Sequence, residues 1–440
     1  MKPVLSDQAY PLPEAVDKAK KHGDFAFALR IIGSYLEKEI PDALRRRLEL
    51  EKNNLEVLSK QYPYTYSEAE ELLLKEFPLY RKGMLSSYIE NGDLDWYYID
   101  GEIHLEARLI GNASARCGLK EDGESSDLML RDENAAYMSR HGSRKARIRV
   151  RASLEPKTDE ETHRNIPIVR KAECISDIVI HGSSPDLVSI DAENALMRTA
   201  VFEGRGRSWI EFSYTIEAVK RNIVSSTAPL SGMDEYLEPQ APHMLFTPYL
   251  RELAREITAG IDDRAMKARA IYDWITRNVK YSFVREYTTF DNISEFTASS
   301  LKGDCGMQAM LFITLCRIAG IPARWQSGWY VTPEGVSCHD WAEFYLPEYS
   351  WCFADCSFGG GAYRSGKMDR WNHYFGSGDV FRMVANNATG LTLTGKKHYP
   401  SDPTDNQRGE AETEERALRR NELGYSLELI GFGFLDKESI

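Results

Sequence analysis

The chain has 440 residues and carries 55 Lys and Arg against 67 Asp and Glu, a net charge of −12. Its 42% hydrophobic and 11% aromatic residues are globular proportions, which excludes disorder, a collagen helix or a coiled coil for the whole chain. The acidic balance disfavours a nucleic-acid partner, because such binding needs a basic surface. The length predicts about two to three domains.

The cysteines are few and unevenly placed. Seven is an odd number in a long chain, so a disulfide scaffold is excluded. The first residues contain Pro, Asp and Glu where a secretory signal needs an apolar core, and no apolar run is long enough to span a bilayer. We therefore expect a cytoplasmic protein with reduced thiols and no membrane partner. Five cysteines cluster within one stretch: Cys305, Cys316, Cys338, Cys352 and Cys356.

The first 88 residues are predicted to form a helical region. A short charged helix covers Glu14–Lys21, and apolar residues then recur at helical spacing through residues 25–36 and 42–61. Ser67 followed by Glu70 predicts a capping box for a further helix. The stripes are typical of helices that pack against one another.

Residues 89–224 change to the period of strands and are predicted to form an antiparallel β-sandwich-like domain. Asp100-Gly101 separates two short aromatic and apolar runs, which predicts a hairpin with a tight turn. Residues 146–151 alternate between apolar and basic, and shorter runs follow with frequent turn residues. Short strands with frequent turns favour a sandwich, and the basic strand is interpreted as half-exposed.

Residues 225–400 are predicted to form a third, α+β region. Helices are expected over 249–258 and 263–279. Residues 401–440 are predicted to be a charged C-terminal tail, whose last apolar residues, 427–435, dock elsewhere. The whole chain is thus predicted to be an α+β multidomain protein.

Cys305 is the cysteine best placed for chemistry. Gly303 and Asp304 predict a turn and a helix cap, and the apolar helix that begins at Cys305 is stopped by Gly320 and Pro322. The N–H groups and the positive end of a helix dipole favour a thiolate in the first turn. Cys305 is therefore the predicted nucleophile.

A thiolate nucleophile needs a base and a group that orients the base. His339 lies on one predicted strand, and a turn at residues 346–348 leads to a second strand that ends at Asp355. If that turn has three residues, His339 directly faces Asp355 on one face of the hairpin. Asp340 is the competing carboxylate, but alternation places it on the opposite face.

Five motifs in this stretch resemble the transglutaminase-like superfamily, which has the papain-like cysteine-peptidase core. The resemblance covers about residues 245–385, with a looser match of the preceding strands to the β-domain of bacterial members. The motifs are a helix exit at Asp273-Trp274-Ile275 and Asn278-Val279-Lys280-Tyr281, Gly303-Asp304-Cys305-Gly306, residues 319–324 (Ala-Gly-Ile-Pro-Ala-Arg), residues 339–347 (His-Asp-Trp-Ala-Glu-Phe-Tyr-Leu-Pro), and Trp351 with Asp355.

The resemblance implies a catalytic triad of Cys305 as nucleophile, His339 as base and then acid, and Asp355 as orienter. It also implies an oxyanion site made by the Cys305 backbone N–H and a second donor, for which Trp274, Tyr281 and Gln308 are candidates. The expected reaction is cleavage or transfer of an amide through a thioester, on a peptide, protein or glycopeptide, without cofactor or metal. Hydrolysis is favoured over transfer to an amine.

Two other readings remain open. Residues Cys338, His339, Cys352 and Cys356 could supply zinc ligands, although no Cys-x-x-Cys pair is present. The fold could also bind a polypeptide or glycan without catalysis, although the complete set of three residues argues against this.

Overall fold

The computed structural model describes residues 7–119, 126–282 and 284–435. Its N-terminal part is helical up to residue 90, as expected from the apolar stripes, but helices also occupy 109–116 and 126–141, where strands were predicted. This part holds one small antiparallel sheet of order β1-β3-β2. The elements are α1 (Glu14–Lys21), α2 (Phe25–Leu36), α3 (Asp42–Gln61), β1 (Tyr64–Thr65), α4 (Tyr66–Glu76), α5 (Met84–Glu90), β2 (Trp96–Ile99), β3 (Glu102–Leu105), α6 (Leu109–Arg116) and α7 (Ser126–His141).

Of two local predictions in this part, the hairpin is correct and the capping box is misplaced. The hairpin is confirmed, since β2 pairs with β3 across a turn in which Asp100 and Gly101 have φ of 45° and 103°. The hairpin also pairs with β1, so it belongs to the helical part. The predicted capping box is wrong by two residues, because Thr65 and Glu68 exchange the two capping hydrogen bonds.

Residues 143–219 form two four-stranded antiparallel sheets together with strands from the end of the chain. One sheet has the order β18-β4-β9-β6 and the other β17-β5-β8-β7. The strands are β4 (Ser143–Pro156), β5 (Thr162–Pro167), β6 (Ile175–Ser183), β7 (Leu187–Ile190), β8 (Thr199–Gly204), β9 (Ser208–Val219), β17 (Glu410–Glu412) and β18 (Leu423–Phe434). Two strands after residue 400 thus belong to the sheets, where a charged tail was predicted, and residues 427–434 dock on the edge of β4.

The third part packs one central helix, α11, against a five-stranded antiparallel sheet of order β15-β14-β13-β12-β16. A separate two-stranded parallel pair, β10 and β11, precedes α11. The elements are α8 (Pro248–Ile257), α9 (Arg264–Asn278), β10 (Lys280–Tyr281), α10 (Ile293–Ser300), β11 (Lys302–Gly303), α11 (Cys305–Ile318), β12 (Ala323–Thr332), β13 (Gly335–Leu346), β14 (Ser350–Ala354), α12 (Cys356–Arg364), α13 (Met368–His373), β15 (Phe375–Gly376) and β16 (Arg382–Asn386).

Apolar packing joins the sheet to both of its neighbours. Residues 306–317 of α11 are buried on every side, which requires other elements to surround the helix. Phe344 on one sheet face packs with the α11 core, whereas Trp329 and Trp341 on the other face belong to the core of the sandwich. The predicted α+β class is confirmed. No helix of the described ranges is long and apolar enough to cross a membrane.

Candidate active site

Cys305 is the first residue of α11 and lies close to β13. Asp304 caps the helix by accepting from the Met307 N–H at 3.1 Å, and the Tyr287 hydroxyl donates to the same Asp304 oxygen at 2.5 Å. Gly306 permits this approach, because a Cβ there would lie 2.3 Å from the Tyr287 hydroxyl oxygen and 2.8 Å from Asp340 Oδ2. Cys305 is partly exposed, so a substrate can reach its sulfur.

His339 and Asp355 are hydrogen-bonded, with 2.7 Å between His339 Nε2 and Asp355 Oδ2. Asp355 caps α12, and its other oxygen accepts from the Phe358 N–H and the Ser357 hydroxyl, each at 2.9 Å. A carboxylate can only accept, so Nε2 donates the proton. In the neutral imidazole this leaves Nδ1 as the basic nitrogen.

The hairpin that joins these two residues differs in register from the prediction. Its turn does have three residues, but they are 347–349, because Leu346 pairs with Ser350 and Tyr345 pairs with Trp351. The pairing is therefore shifted by two residues, which preserves the strand face. His339 and Asp355 are diagonal neighbours rather than directly opposed, and their side chains still meet.

Arg382 is a site residue that the sequence reasoning missed. Its Nη2 donates to Asp355 Oδ2 at 3.0 Å and to Asp379 Oδ2 at 2.9 Å, and all three side chains are almost fully buried. A charged residue among the apolar residues of β16 was the available signal, since a buried arginine needs a partner. Arg382 shares the carboxylate of Asp355 with His339.

An aromatic ring fixes the plane of the imidazole. The Phe358 ring stacks on His339 with 4.2 Å between centroids and 25° between planes. Phe358 is also contacted by Arg131 of α7, whose guanidinium lies 3.5 Å from the Phe358 ring centroid. Arg131 also donates to the Tyr330 hydroxyl at 3.1 Å. Offset stacking of this kind restricts ring rotation, so His339 is held by packing as well as by Asp355.

Asp340 lies on the strand face opposite His339, as alternation predicts, and on that face it contacts Cys305. The Cys305 thiol donates to Asp340 Oδ2 at 3.4 Å. Asp340 lies on the face that meets the start of α11, whereas His339 lies on the face with Trp341. The Cys305 thiol is thus hydrogen-bonded to Asp340 and the His339 ring to Asp355, and among the described residues no hydrogen bond joins Cys305 to His339.

The electrostatics favour a neutral Cys305 thiol and a neutral His339 imidazole in the resting site. Burial raises the pKa of the Cys305 thiol, and Asp340 and Asp304 raise it further. The thiolate expected from the helix dipole is therefore opposed by desolvation and two carboxyls. Burial also lowers the pKa of His339 more than Asp355 raises it. Although burial alone would raise the pKa of Asp355, His339 and Arg382 hold it well below its usual range.

A cavity of about 780 Å³ opens over these groups. Cys305, His339 and Asp340 lie in its wall, while the buried Asp355 lies behind His339. All parts of the fold contribute to the cavity. Its further lining includes Tyr62 and Arg108 from the N-terminal part, Arg131 from α7, Tyr281 and Arg285 beside α11, and Asp405, Gln407 and Arg420 from the end of the chain.

The three candidates for the second oxyanion donor lie in different places. Gln308 is fully buried and its amide donates to the Gly303 carbonyl at 3.0 Å. Trp274 packs against the α11 core. Tyr281 lines the cavity, and burial raises the pKa of its hydroxyl, as do the nearby Cys305 and Asp304. Tyr281 is the candidate that faces the substrate space.

The zinc reading is not supported by the positions of its ligands. Cys352 and Cys356 are buried in the core around α11, whereas Cys338 and His339 lie on the cavity wall. Within the described ranges, no group of three or more His, Cys, Asp or Glu side chains is placed to hold a metal ion.

Comparison with known proteins connects the third part of the chain to one family. Residues 251–356 match the model of the transglutaminase-like superfamily. The "Uncharacterized protein YebA" of Bacillus subtilis (strain 168) is 28% identical over 122 residues, a match that covers 23% of this chain and 16% of that protein. The chain therefore spans about a sixth of the length of that relative.

Two similar solved structures cover more of the chain. A "putative cysteine protease" from Cytophaga hutchinsonii has a TM-score of 0.45 and 17% identity, covering 68% of this chain and 93% of that one. The periplasmic domain of TgpA from Pseudomonas aeruginosa has a TM-score of 0.31 and 14% identity, covering 57% and 99%.

Proposed function

We propose that the protein is a cysteine-dependent amide-bond hydrolase or acyltransferase, on the premise that residues 251–356 match the transglutaminase-like superfamily. It acts through a thioester on a peptide, protein or glycopeptide. The observation that carries the proposal is the placement of a helix-start cysteine and a carboxylate-bound histidine in the wall of one cavity. These are the parts that a thiol nucleophile needs.

In the first half of the reaction, Cys305 attacks the carbonyl carbon of the amide. For this step the thiol turns from Asp340, to which it donates at rest, towards His339, which takes its proton on Nδ1 as the sulfur–carbon bond forms. Asp355 and Arg382 stay ionised. Asp355 stabilises the imidazolium that appears. Because the resting thiol and imidazole are both neutral, proton transfer accompanies the attack and no ion pair is required beforehand.

The tetrahedral oxyanion is stabilised by hydrogen-bond donors at the start of α11. The Cys305 backbone N–H is one donor, and we assign the Tyr281 hydroxyl as the second because it lines the cavity. The oxyanion collapses, the amide C–N bond breaks, and the imidazolium gives its proton to the departing amine. The acyl group is then held on Cys305 as a thioester.

In the second half, an acceptor attacks the thioester while His339 takes its proton. Water as acceptor regenerates the thiol and releases an acid, whereas an amine forms a new amide. The charged cavity wall, with Arg108 and Asp340 among its residues, supports a polar substrate in contact with water. We therefore propose hydrolysis as the main reaction.

The test offers wild-type protein a peptide and glycopeptide library, with and without an added primary amine, and reads the products by mass spectrometry. We expect new carboxyl ends from hydrolysis, and a gain of amine mass would instead indicate transfer. Cys305→Ala should give neither product, whereas Cys117→Ala, a thiol outside the cavity, should retain activity. Equal product from the Cys305→Ala variant would refute the proposal. Binding without turnover would favour the non-catalytic alternative.

A further inference from the structure

Two carboxyl groups, those of Asp340 and Asp405, lie beside the nucleophile and have no role in the reaction described above. We propose that Asp340 and Asp405 share one proton beside Cys305, and that Asp405 is a positioning residue that controls the ionisation of the thiol through Asp340. The inference rests on the proposed function, because the thiol whose ionisation the pair controls, Cys305, is the proposed nucleophile.

The first observation is that Asp340 is held on both oxygens. Its Oδ2 accepts from the Cys305 thiol at 3.4 Å, and its Oδ1 accepts from Gln407 Nε2 at 2.7 Å. Gln407 Nε2 also lies 2.9 Å from the His339 carbonyl oxygen. The segment that carries Gln407, residues 401–409, is thereby attached to β13 at His339 and at Asp340, which contacts the thiol.

The second observation is the position of Asp405. Its side chain is only 4% exposed and is hydrogen-bonded to the Asp340 carboxyl and to Ser327. Two carboxyl groups can be hydrogen-bonded to each other only if one of them carries a proton. Burial raises the pKa of Asp405 to about 7, with Asp402 adding to the effect, and burial and Asp405 raise that of Asp340.

The surrounding charges preserve the pair as an acid. Arg420, which lies outside the 401–409 segment, forms an ion pair with Asp402 at 3.8 Å and only partly offsets the effects that raise the pKa of Asp405. Asp304 faces Asp340 and raises its pKa further. The other titratable groups that line the cavity around the pair are Tyr281, Tyr287, Cys305, Cys338, His339 and Arg408.

The shared proton affects the pKa of the Cys305 thiol, because it determines how much negative charge lies on Asp340. With the proton present, one negative charge is spread over two carboxyls, and Asp340 can donate a hydrogen bond to the sulfur when the thiol ionises. Burial raises the pKa of Asp340 most, and Asp405 adds to it. Without Asp405, Asp340 would therefore carry more negative charge, 3.4 Å from the sulfur. A like charge at that distance raises the pKa of a thiol.

Two substitutions should therefore shift the thiol in opposite directions. Asp340→Asn removes the adjacent charge and retains a donor, so Cys305 should ionise at lower pH. Asp405→Asn removes the partner with which Asp340 shares its proton, so more negative charge lies on Asp340 and Cys305 should ionise at higher pH. Each shift should be about one pH unit or more, the size expected for one adjacent charge.

The measurement is the rate of Cys305 alkylation by iodoacetamide from about pH 5 to about pH 10, resolved by peptide mass spectrometry. The control Asp369→Asn changes an exposed carboxylate outside the cavity and should leave the profile unchanged. Cys316 is fully buried, and its protection from alkylation shows that each variant is folded. Shifts in the same direction, or no shift in folded variants, would overturn the proposal.

Infrared difference spectroscopy of the folded Asp340→Asn variant against wild type provides a second measurement. The spectrum should show a protonated carboxyl band in wild type at about neutral pH that the variant lacks, and absence of this band would also overturn the pair. Both measurements are made without substrate. If the proposed function failed, these shifts would persist, whereas a failed carboxyl pair would leave the library products intact.

Discussion

At the scale of single residues, one oxygen of Asp355 has to satisfy two partners. Its Oδ2 accepts from both His339 and Arg382 while being 1% exposed. A buried carboxylate is costly unless it is paired and hydrogen-bonded. Arg382 therefore keeps Asp355 ionised in whichever charge state the imidazole adopts.

Arg382→Met should destabilise the protein strongly. It leaves the buried carboxylates of Asp355 and Asp379 without their cation, a loss of about 3–5 kcal/mol for a broken buried pair. Arg416→Met is the matched control, since Arg416 is 54% exposed and pairs with Glu422 at the surface. That change should cost about 1 kcal/mol or less. Urea unfolding measures both, and equal losses would contradict a special role for Arg382.

The activity should be lost in acid at an unusually low pH. Burial and Arg382 lower the pKa of His339 below its ordinary 6.5, although Asp355 opposes them. The base is therefore neutral above that lowered pKa and protonated below it, so kcat/KM should fall as the pH drops through a value under 6.5. Asp355→Asn should lower activity by about a hundredfold or more, because the imidazole loses its orienting partner. An acidic limb above 6.5 would contradict this assignment.

Sequence patterns identified the three proposed catalytic residues but not their neighbours. The face shared by His339 and Asp355 was predictable because strand parity survives a two-residue shift of register. The contact of Asp340 with Cys305 was not, because it depends on how closely α11 approaches β13. That distance is controlled by Gly306, through contacts between residues far apart in the chain.

At the scale of elements, the start of α12 determines the position of Asp355, and the glycines within α12 determine the position of that helix. Gly359 packs on α9, where a Cβ would lie 1.9 Å from the Tyr272 hydroxyl oxygen. That hydroxyl is buried and donates to the Trp371 carbonyl at 2.8 Å. The run Gly359-Gly360-Gly361 is therefore a helical segment in close contact with α9.

Neighbouring glycines of α12 should respond in opposite ways to alanine. Gly359→Ala forces α12 away from Tyr272 and should cost about 1–3 kcal/mol. Gly361→Ala meets nothing within 4 Å and should stabilise the helix by up to about 1 kcal/mol. Thermal unfolding of the two variants tests the difference, which would be refuted by similar changes in both.

Local sequence patterns predicted where elements begin and end, with a small error where two capping boxes were possible. Both Ser67 with Glu70 and Thr65 with Glu68 satisfy the spacing of a capping box, and only the second is formed. Glu70 instead accepts from the Gly83 N–H at 2.7 Å. Spacing alone cannot rank the two, because the choice depends on where β1 ends and the chain turns.

At the scale of the whole molecule, the N-terminal part is attached to the segment that leads into Cys305. Lys302 forms a buried ion pair with Asp95 at 2.5 Å, and Asn54 donates to the Thr288 carbonyl at 2.7 Å. The contacts connect three stretches that are far apart in sequence. The cavity is therefore a product of the complete fold rather than of residues 251–356 alone.

The stability of the molecule should fall in mild acid because of buried neutral histidines. Burial lowers the pKa of His243 to about 3, and both ring nitrogens lack a partner among the described residues. The unfolded chain takes up this proton below about pH 6.5, whereas the folded chain does not. Stability is thus retained above that pH and lost as the pH falls.

Replacing His243 should reduce this dependence. In His243→Leu, the slope of unfolding free energy against pH should decrease by about 1.4 kcal/mol per pH unit, the contribution of one proton, between about pH 6 and pH 4. Denaturant unfolding at several pH values measures the slope. An unchanged slope would show that His243 is protonated in the folded protein.

The arrangement of the chain's end was beyond prediction from local patterns. Residues 427–435 were expected to dock, but β18 pairs with β4 across more than 260 residues of sequence. Strand pairing at such separation leaves no local signal, since each strand looks alike in any register that preserves its face. The 401–409 segment therefore could not be assigned to the cavity wall in advance.

Hydroxylamine trapping tests the proposed thioester most directly. A library substrate turned over by the wild type is incubated with hydroxylamine, which attacks a thioester faster than an amide, and the products are read by mass spectrometry. We expect hydroxamates that increase with hydroxylamine at the expense of the acid, and none with Cys305→Ala. Turnover that yields acid alone, or hydroxamate that persists in the Cys305→Ala variant, would contradict covalent catalysis by Cys305.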